Sequence, residues 1–261
     1  MAYRQYDPSA AFRHLIDAYW INRPDAGAPD DRVLPDGCID LVFRGGACGG
    51  RLFSSALIER PVYFDDGKSG WFVGVRFRPA MASAILDIEP AECRGRAIPA
   101  VAIDAGFGVL EAELQDCALP ELALAVLKRA IDARLMRSDR DAVPARVREA
   151  IALLARGGDA AHVRKVALAL GIAERSLHRD LKRWTGLAPK SMARILRMQR
   201  CMAAIRAGRT PLALLALRMG YADQAHMTRE LKELAGFTPS EIAPKNHRPV
   251  RNLQDAGRAA A

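Results

Sequence analysis

The chain has no run of eighteen apolar residues, so it offers no membrane-spanning helix. Its start, MAYRQYDPSAAF, lacks the basic, apolar and small-residue succession of a secretory signal. Histidine is scarce: of the 5 in the chain, only His14 precedes residue 162. A metal-dependent barrel needs two or three histidines converging on one ion, so the front of the chain reads as metal-free. The 5 cysteines, Cys38, Cys48, Cys93, Cys117 and Cys201, are odd in number and never at CxxC spacing. That favours reduced thiols in a cytoplasm over disulfides or zinc. No histidine or lysine lies near Cys38 in sequence to lower its pKa, so it reads as a small buried or turn-adjacent thiol rather than a nucleophile. No catalytic constellation precedes residue 143, which points away from an enzyme.

What is present is unevenly distributed. The 261 residues carry a net charge of +9. From Pro144 onward there are 22 Lys and Arg against 9 Asp and Glu, a net +13; the preceding part holds 17 against 21, a net −4. A basic domain joined to a mildly acidic one points to nucleic acid as the partner of the former. The charge is scattered over several segments rather than gathered on one amphipathic helix, so a membrane surface is not the expected partner.

The first hundred residues alternate short apolar runs with turn residues. The runs are 14–22, 32–44, 52–58, 62–64 and 70–77; the punctuation is Pro35-Asp36-Gly37, Gly45-Gly46 and Asp65-Asp66-Gly67. This spacing predicts a small barrel or rolled sheet. Residues 79–86 read as a helix entered through Pro79. Asp36 and Asp40 bracket Cys38 and either orient the turn or line a ligand pocket, the turn being favoured. Trp20, Trp71, Phe72 and Phe77 read as core, with an apolar pocket as the alternative. Residues 119–138 form a helix whose stripe, Leu122, Val126, Leu127, Ala130, Ile131 and Leu135, either docks on the front domain or pairs with a second copy. The polar, proline-terminated segment 139–144 coincides with the charge change and marks the domain boundary.

From Ala145 the helical pattern is dense. Val147, Ala150, Ile151 and Leu154 make one apolar face; Val163, Val166, Ala167 and Leu170 make a second, ended by Gly171. In the next helix Leu177, Leu181 and Trp184 face inward, and Glu174, Arg175, Ser176, His178, Arg179, Lys182 and Arg183 face out. Pro189 opens a helix of about nineteen residues that ends at Gly208. Pro211 then starts a short helix behind Thr210, closed by Gly220. Asp223 caps a last long helix that buries Met227, Leu231 and Leu234 and exposes Gln224, Ala225, His226, Thr228, Arg229 and Lys232. A short helix, a tight turn and a second helix with a polar, basic outer face is the arrangement of a helix-turn-helix.

The residues Gly220, Tyr221, Asp223, Gln224, His226, Met227, Arg229, Leu231, Lys232, Gly236, Thr238 and Pro239 resemble the signature of the AraC/XylS family of bacterial transcription regulators. Met227 and Leu231 replace its usual aromatics. Residues 173–186 are similar to the family's first helix-turn-helix, with Ala173 where a Ser or Thr cap is usual. Residues 33–43 (VLPDGCIDLVF) and 73–81 (VGVRFRPAM) resemble an N-terminal domain of unknown function found in a subset of such regulators.

The resemblance implies an α+β protein. A β-rich, cupin-like sensor or dimerisation domain is expected over 1–118, a linker helix over 119–143, an all-α domain with two helix-turn-helix units over 144–244, and a disordered tail over 245–261. It implies a cytoplasmic, effector-responsive regulator without cofactor or metal, with activation and repression both open. Double-stranded DNA is the partner; a small-molecule effector, RNA polymerase and a second copy of the chain are further partners it admits. Arg175 and Arg179 suit guanine edges, Gln224 suits adenine, and Ser176 and His178 are adaptable readers. Lys182, Arg183 and Lys232 suit phosphate. Arg229 either contacts DNA or holds the fold by an internal ion pair. The rival of another class is a DNA-repair alkyl acceptor carrying the same helical domain; it needs a zinc-bound cysteine cluster.

Overall fold

The computed structural model describes residues 2–23, 32–46, 49–63, 70–137, 142–157 and 162–243. The Asp65-Asp66-Gly67 turn, most of the boundary segment before Pro144 and the tail 245–261 lie outside the described residues. The fold is α+β. Six antiparallel strands form one sheet in the order β1 (Ala2–Tyr6), β2 (Ile16–Arg23), β7 (Trp71–Phe77), β4 (Asp40–Gly45), β5 (Arg51–Ser54), β8 (Ile98–Pro99). A separate two-stranded ribbon pairs β3 (Arg32–Val33) with β6 (Val62–Tyr63). The expected barrel is therefore not closed: β1 and β8 are free edges, because β3 and β6 pair with each other instead of bridging them.

The period-two alternation of a strand sorts the sheet's side chains into two sets. Tyr19 and Ile21 on β2, Leu41 and Phe43 on β4, and Val73, Val75 and Phe77 on β7 enter the main core. That face is covered by α4 (Pro120–Arg137), which packs on β2 and β7, and by α3 (Phe107–Gln115) against β4 and β5. The helix expected over 119–138 thus docks on its own front domain. Its buried stripe is rotated from the expected one: Leu124, Leu127, Ile131 and Leu135 are buried at spacings of three and four, while Leu122 is 54% exposed. The opposite face carries Tyr3, Trp20, Asn22, Asp40, Val42, Phe53, Phe72 and Arg76. Register pairs some of these directly: Tyr3 with Asn22, Asn22 with Phe72, and Asp40 with Arg76. Gly74 lies opposite Trp20, and a Cβ there would come within 2.3 Å of the indole. The absent side chain lets the ring lie flat on the sheet.

The helices that follow are α1 (Met81–Leu86) and α2 (Ala100–Ile103) in the front domain, then α5 (Ala145–Arg156), α6 (Val163–Ala169), α7 (Glu174–Thr185), α8 (Pro189–Ala207), α9 (Leu212–Arg218), α10 (Gln224–Ala235) and α11 (Pro239–Ile242). Pairs α6–α7 and α9–α10 are the two helix-turn-helix units, and α8 packs against members of both. Asp223 caps α10 as expected, its Oδ1 accepting the His226 N–H at 2.6 Å. Ala173 gives α7 no side-chain cap. The core does not divide cleanly at the boundary. Val147, Ala150, Leu154, Leu177 and Leu181 belong to the same apolar cluster as the sheet. Leu34, from the front domain, is buried in the second cluster beside Met198, Leu231 and Phe237.

Candidate nucleic-acid interface and a buried cavity

The outer face of α7 presents Glu174, Arg175, His178, Arg179, Lys182 and Arg183 exposed and Ser176 half-buried. Its inner face is fixed by Leu177 and Leu181, and by Asp180, which accepts a hydrogen bond from Arg146 at 2.6 Å. Trp184, expected inward, is half-buried, with its main-chain oxygen accepting from Ser83 of the front domain at 3.2 Å. On α10, Gln224, Ala225, Arg229 and Lys232 are exposed. His226 and Thr228 are half-buried and locally engaged. The His226 ring accepts from the Ala222 N–H at 3.4 Å and packs edge-on to Tyr221, and the Thr228 hydroxyl donates to the Gln224 carbonyl at 2.9 Å.

The carboxylate that anchors α10 is Glu230, which sequence reasoning missed. It accepts from Arg194 Nε at 2.9 Å and from Arg197 Nη2 at 2.7 Å, both arginines lying on α8. Burial alone would raise its pKa, but these two guanidinium hydrogen bonds outweigh it and hold the carboxyl below its ordinary range. The signal available was a charge at 230 between the apolar positions 227, 231 and 234. Arg200, also on α8, donates to the Ala155 carbonyl that ends α5 at 3.0 Å. The rod is thereby tied to both ends of the helical domain. Between the units runs a concave groove of about 710 Å³ whose wall includes Arg164, Lys190, Arg194, Arg197 and Arg200.

A second concavity, of about 270 Å³, lies between the outward face of the sheet and the β3–β6 ribbon. Tyr3, Trp20, Phe53 and Phe72 supply aromatic walls, and Val33, Leu34 and Val62 come from the ribbon side. Two of the four aromatics singled out in the sequence, Trp20 and Phe72, therefore line a pocket; Phe77 is core, and Trp71 packs against Phe43 with ring centroids 5.7 Å apart. Asp36 and Asp40 both reach the cavity, and both do more than orient a turn. Asp36 accepts the Cys38 N–H at 2.9 Å and lies 3.3 Å from Arg76 Nε. Asp40 accepts from Arg76 Nη2 at 3.1 Å and from Trp20 Nε1 at 2.9 Å. The Arg76 side chain is wholly buried. Burial outweighs its attraction and pushes the Asp40 carboxyl up to about 6, and raises Asp36 as well. Burial also drives the Cys38 thiol well above its usual range, so it stays protonated. Three buried polar atoms here have no hydrogen-bond partner among the described residues: the Tyr3 hydroxyl, Asn22 Oδ1 and Arg76 Nη1.

Among the described residues no group of three or more His, Cys, Asp or Glu side chains is arranged to hold a metal ion, and no helix is long and apolar enough to cross a membrane. Cys38, Cys93, Cys117 and Cys201 are free thiols.

Two stretches of the chain match family models. Residues 166–244 match a family model described as a helix-turn-helix domain, and residues 4–99 match a domain of unknown function (DUF6597). No curated protein matches. Among solved structures, the C-terminal domain of AraT, a response regulator from Geobacillus stearothermophilus, is 18% identical, covering 42% of this chain and 93% of that one with a TM-score of 0.38. An AraC-type transcriptional regulator from Chromobacterium violaceum is 20% identical over 40% of this chain and 94% of that one, TM-score 0.37. ToxT from Vibrio cholerae, solved with an unsaturated fatty acid bound, is 10% identical over 85% and 94% of the two chains, TM-score 0.41.

Proposed function

We propose that this chain, which carries the AraC/XylS-type helix-turn-helix domain, is a cytoplasmic, effector-responsive transcription regulator that reads two adjacent major grooves from one subunit. The observation that carries the reading is that α7 and α10 each present an exposed polar and basic face and both pack against the same long helix, α8. At 1.5 Å per residue the 19 residues of α8 span roughly 28 Å. Successive major-groove faces on one side of B-DNA lie about 34 Å apart, so a rod of this length suits two contacts one turn apart. The ion pairs from α8 to Glu230 and the bond from Arg200 to Ala155 make it a stiff spacer.

In this reading Arg175, Arg179 and Gln224 contact base edges, while Lys182, Arg183 and Lys232 contact phosphates. Arg229 is exposed and makes no ion pair among the described residues, which favours a DNA role for it over an internal one. The groove lined by Arg164 and Lys190 between the units faces the intervening backbone. Footprinting of the full chain on its operator tests the model. Two protected blocks about ten base pairs apart are expected. Arg179→Ala should cost about 1–3 kcal/mol and relax specificity in one block only. Lys182→Ala should weaken all sequences alike and flatten the salt slope by about one. A single protected block unaffected by Gln224→Ala sinks the two-groove reading. Effector response is supported by the cavity in the front domain.

A further inference from the structure

The cavity in the front domain has a lopsided chemistry. Its walls are aromatic and aliphatic, yet its floor holds two carboxylates against one guanidinium. Arg76 Nε is shared, lying 3.3 Å from Asp36 and 3.3 Å from Asp40. One cation cannot neutralise two anions, and taking the surplus charge out of water is costly unless a second cation or a proton arrives. Nearby, Asn22 Oδ1 is a buried acceptor with no donor among the described residues, while the Tyr3 hydroxyl and Arg76 Nη1, which also lack a well-formed hydrogen bond, belong to side chains that lie against each other. A buried unpaired polar atom is costly, so an occupant that supplies a donor recovers that cost. An anionic occupant would meet like charge. Aromatic faces such as Trp20 and Tyr3 attract cations as well as apolar rings.

The same cavity is tied to the DNA-binding half. Residues 32–38, which supply Val33, Leu34, Asp36 and Cys38 to its wall, form a strap held from the other side. Arg32 Nη1 donates to the Ala235 carbonyl at the end of α10 at 3.1 Å, and its guanidinium lies 3.8 Å over the Phe237 ring. Gln199 of α8 donates to the Pro35 carbonyl at 2.5 Å. Leu34 lines the cavity and is also buried in the second core. At Gly37, with φ of +75°, a Cβ would lie 3.1 Å from the Met192 sulfur of α8.

We propose that this cavity binds a small apolar molecule bearing a cationic, hydrogen-bond-donating nitrogen, an aralkyl amine, and that the 32–38 strap relays its occupancy to α8 and α10. The relay rests on the DNA-binding reading above; the ligand chemistry does not. At about 270 Å³ the cavity lies just below the ~300–1,000 Å³ of drug-sized sites, which suits a single ring system with a short side chain. The ammonium lies toward Asp36 and Asn22, and the ring against Trp20 and Phe72. Because coupling is reciprocal, an amine that prefers one strap position changes DNA affinity by the factor by which DNA changes amine affinity.

Calorimetric titration of the full chain with tryptamine, indole and indole-3-acetate holds the ring constant and varies only the head group. Tryptamine should bind at least ten-fold more tightly than indole, and indole-3-acetate more weakly still. Tyr3→Phe removes a hydroxyl that faces the cavity beside the Arg76 guanidinium, so it should weaken tryptamine several-fold while circular dichroism shows the variant folded at the assay temperature. Ala56→Trp, which fills the cavity from a half-exposed position, should abolish binding. Indole-3-acetate binding as tightly as tryptamine, tryptamine binding that survives Ala56→Trp in a folded variant, or no heat with either tryptamine or phenethylamine overturns the ligand assignment. These results do not depend on DNA. Saturating tryptamine should then shift affinity for a footprinted DNA fragment at least five-fold, and Gln199→Ala should remove that shift while keeping tryptamine affinity within three-fold. A wild-type DNA affinity indifferent to saturating tryptamine overturns the relay. Failure to bind any DNA fragment would instead count against the regulator reading and leave the calorimetry standing.

Discussion

Glu230 and Arg76 are charges set in stretches that otherwise read as apolar. Glu230 sits on the inner side of α10 with 6% of its side chain exposed, between two arginines of the rod. Its folded-state pKa is lowered, so the stability it contributes is present above the unfolded value of 4.5 and is lost as pH falls through the folded value. Glu230→Ala should cost about 3 kcal/mol, the low end for a broken buried pair, because Arg194 keeps Glu233 and Arg197 keeps the Tyr221 ring. The variant should also lose less stability than the parent as pH falls below the unfolded value of 4.5, measured by urea denaturation; an unchanged acid limb would refute the assignment. Residues of this kind were the least legible in the sequence. Helical spacing shows that position 230 is internal, but its partners lie 36 and 33 residues away. Arg76 was read only as part of a strand, and its carboxylate partner Asp40 lies 36 residues off.

At the scale of elements the sequence was far more open. The boundaries of α7, α8 and α10 follow from local features: a proline at the first turn of α8, an aspartate cap at α10, and glycines 186, 208 and 236 in left-handed conformation at the three ends. The capping box at α11, in which Thr238 and Glu241 bond reciprocally, was equally local yet went unread. The helix α4 shows where local pattern is insufficient. Its apolar residues cover more than one face, and only the sheet beneath decides which are buried. Leu127 is fully buried against that sheet. Leu127→Ala should therefore destabilise the front domain by about 2–5 kcal/mol in chemical denaturation. A loss below about 1 kcal/mol would mean the helix is not a structural part of that domain.

For the whole molecule, the charge break near Pro144 separates an acidic part from a basic part but not the two cores. A fragment of residues 142–250 should fold as a helical domain and bind DNA, yet melt below the full chain. It lacks Leu34, whose burial in the second core is worth about 1.5–3 kcal/mol. Circular dichroism during a thermal scan checks this; a fragment melting at or above the full chain would show that the halves merely touch. None of these contacts was legible, since strap and helices meet across 164 and 203 residues, where no periodicity operates. That separation gives the protein an order of assembly. The sheet and the inner wall of its cavity are complete by Pro99, while the parts that hold the strap, Gln199 and the end of α10, follow about 100 to 136 residues later. At roughly 5–20 residues per second that is about 5–27 s of synthesis. A nascent chain thus carries an unfinished cavity with a loose wall. The cavity becomes whole only when the helices that hold its wall have also been made.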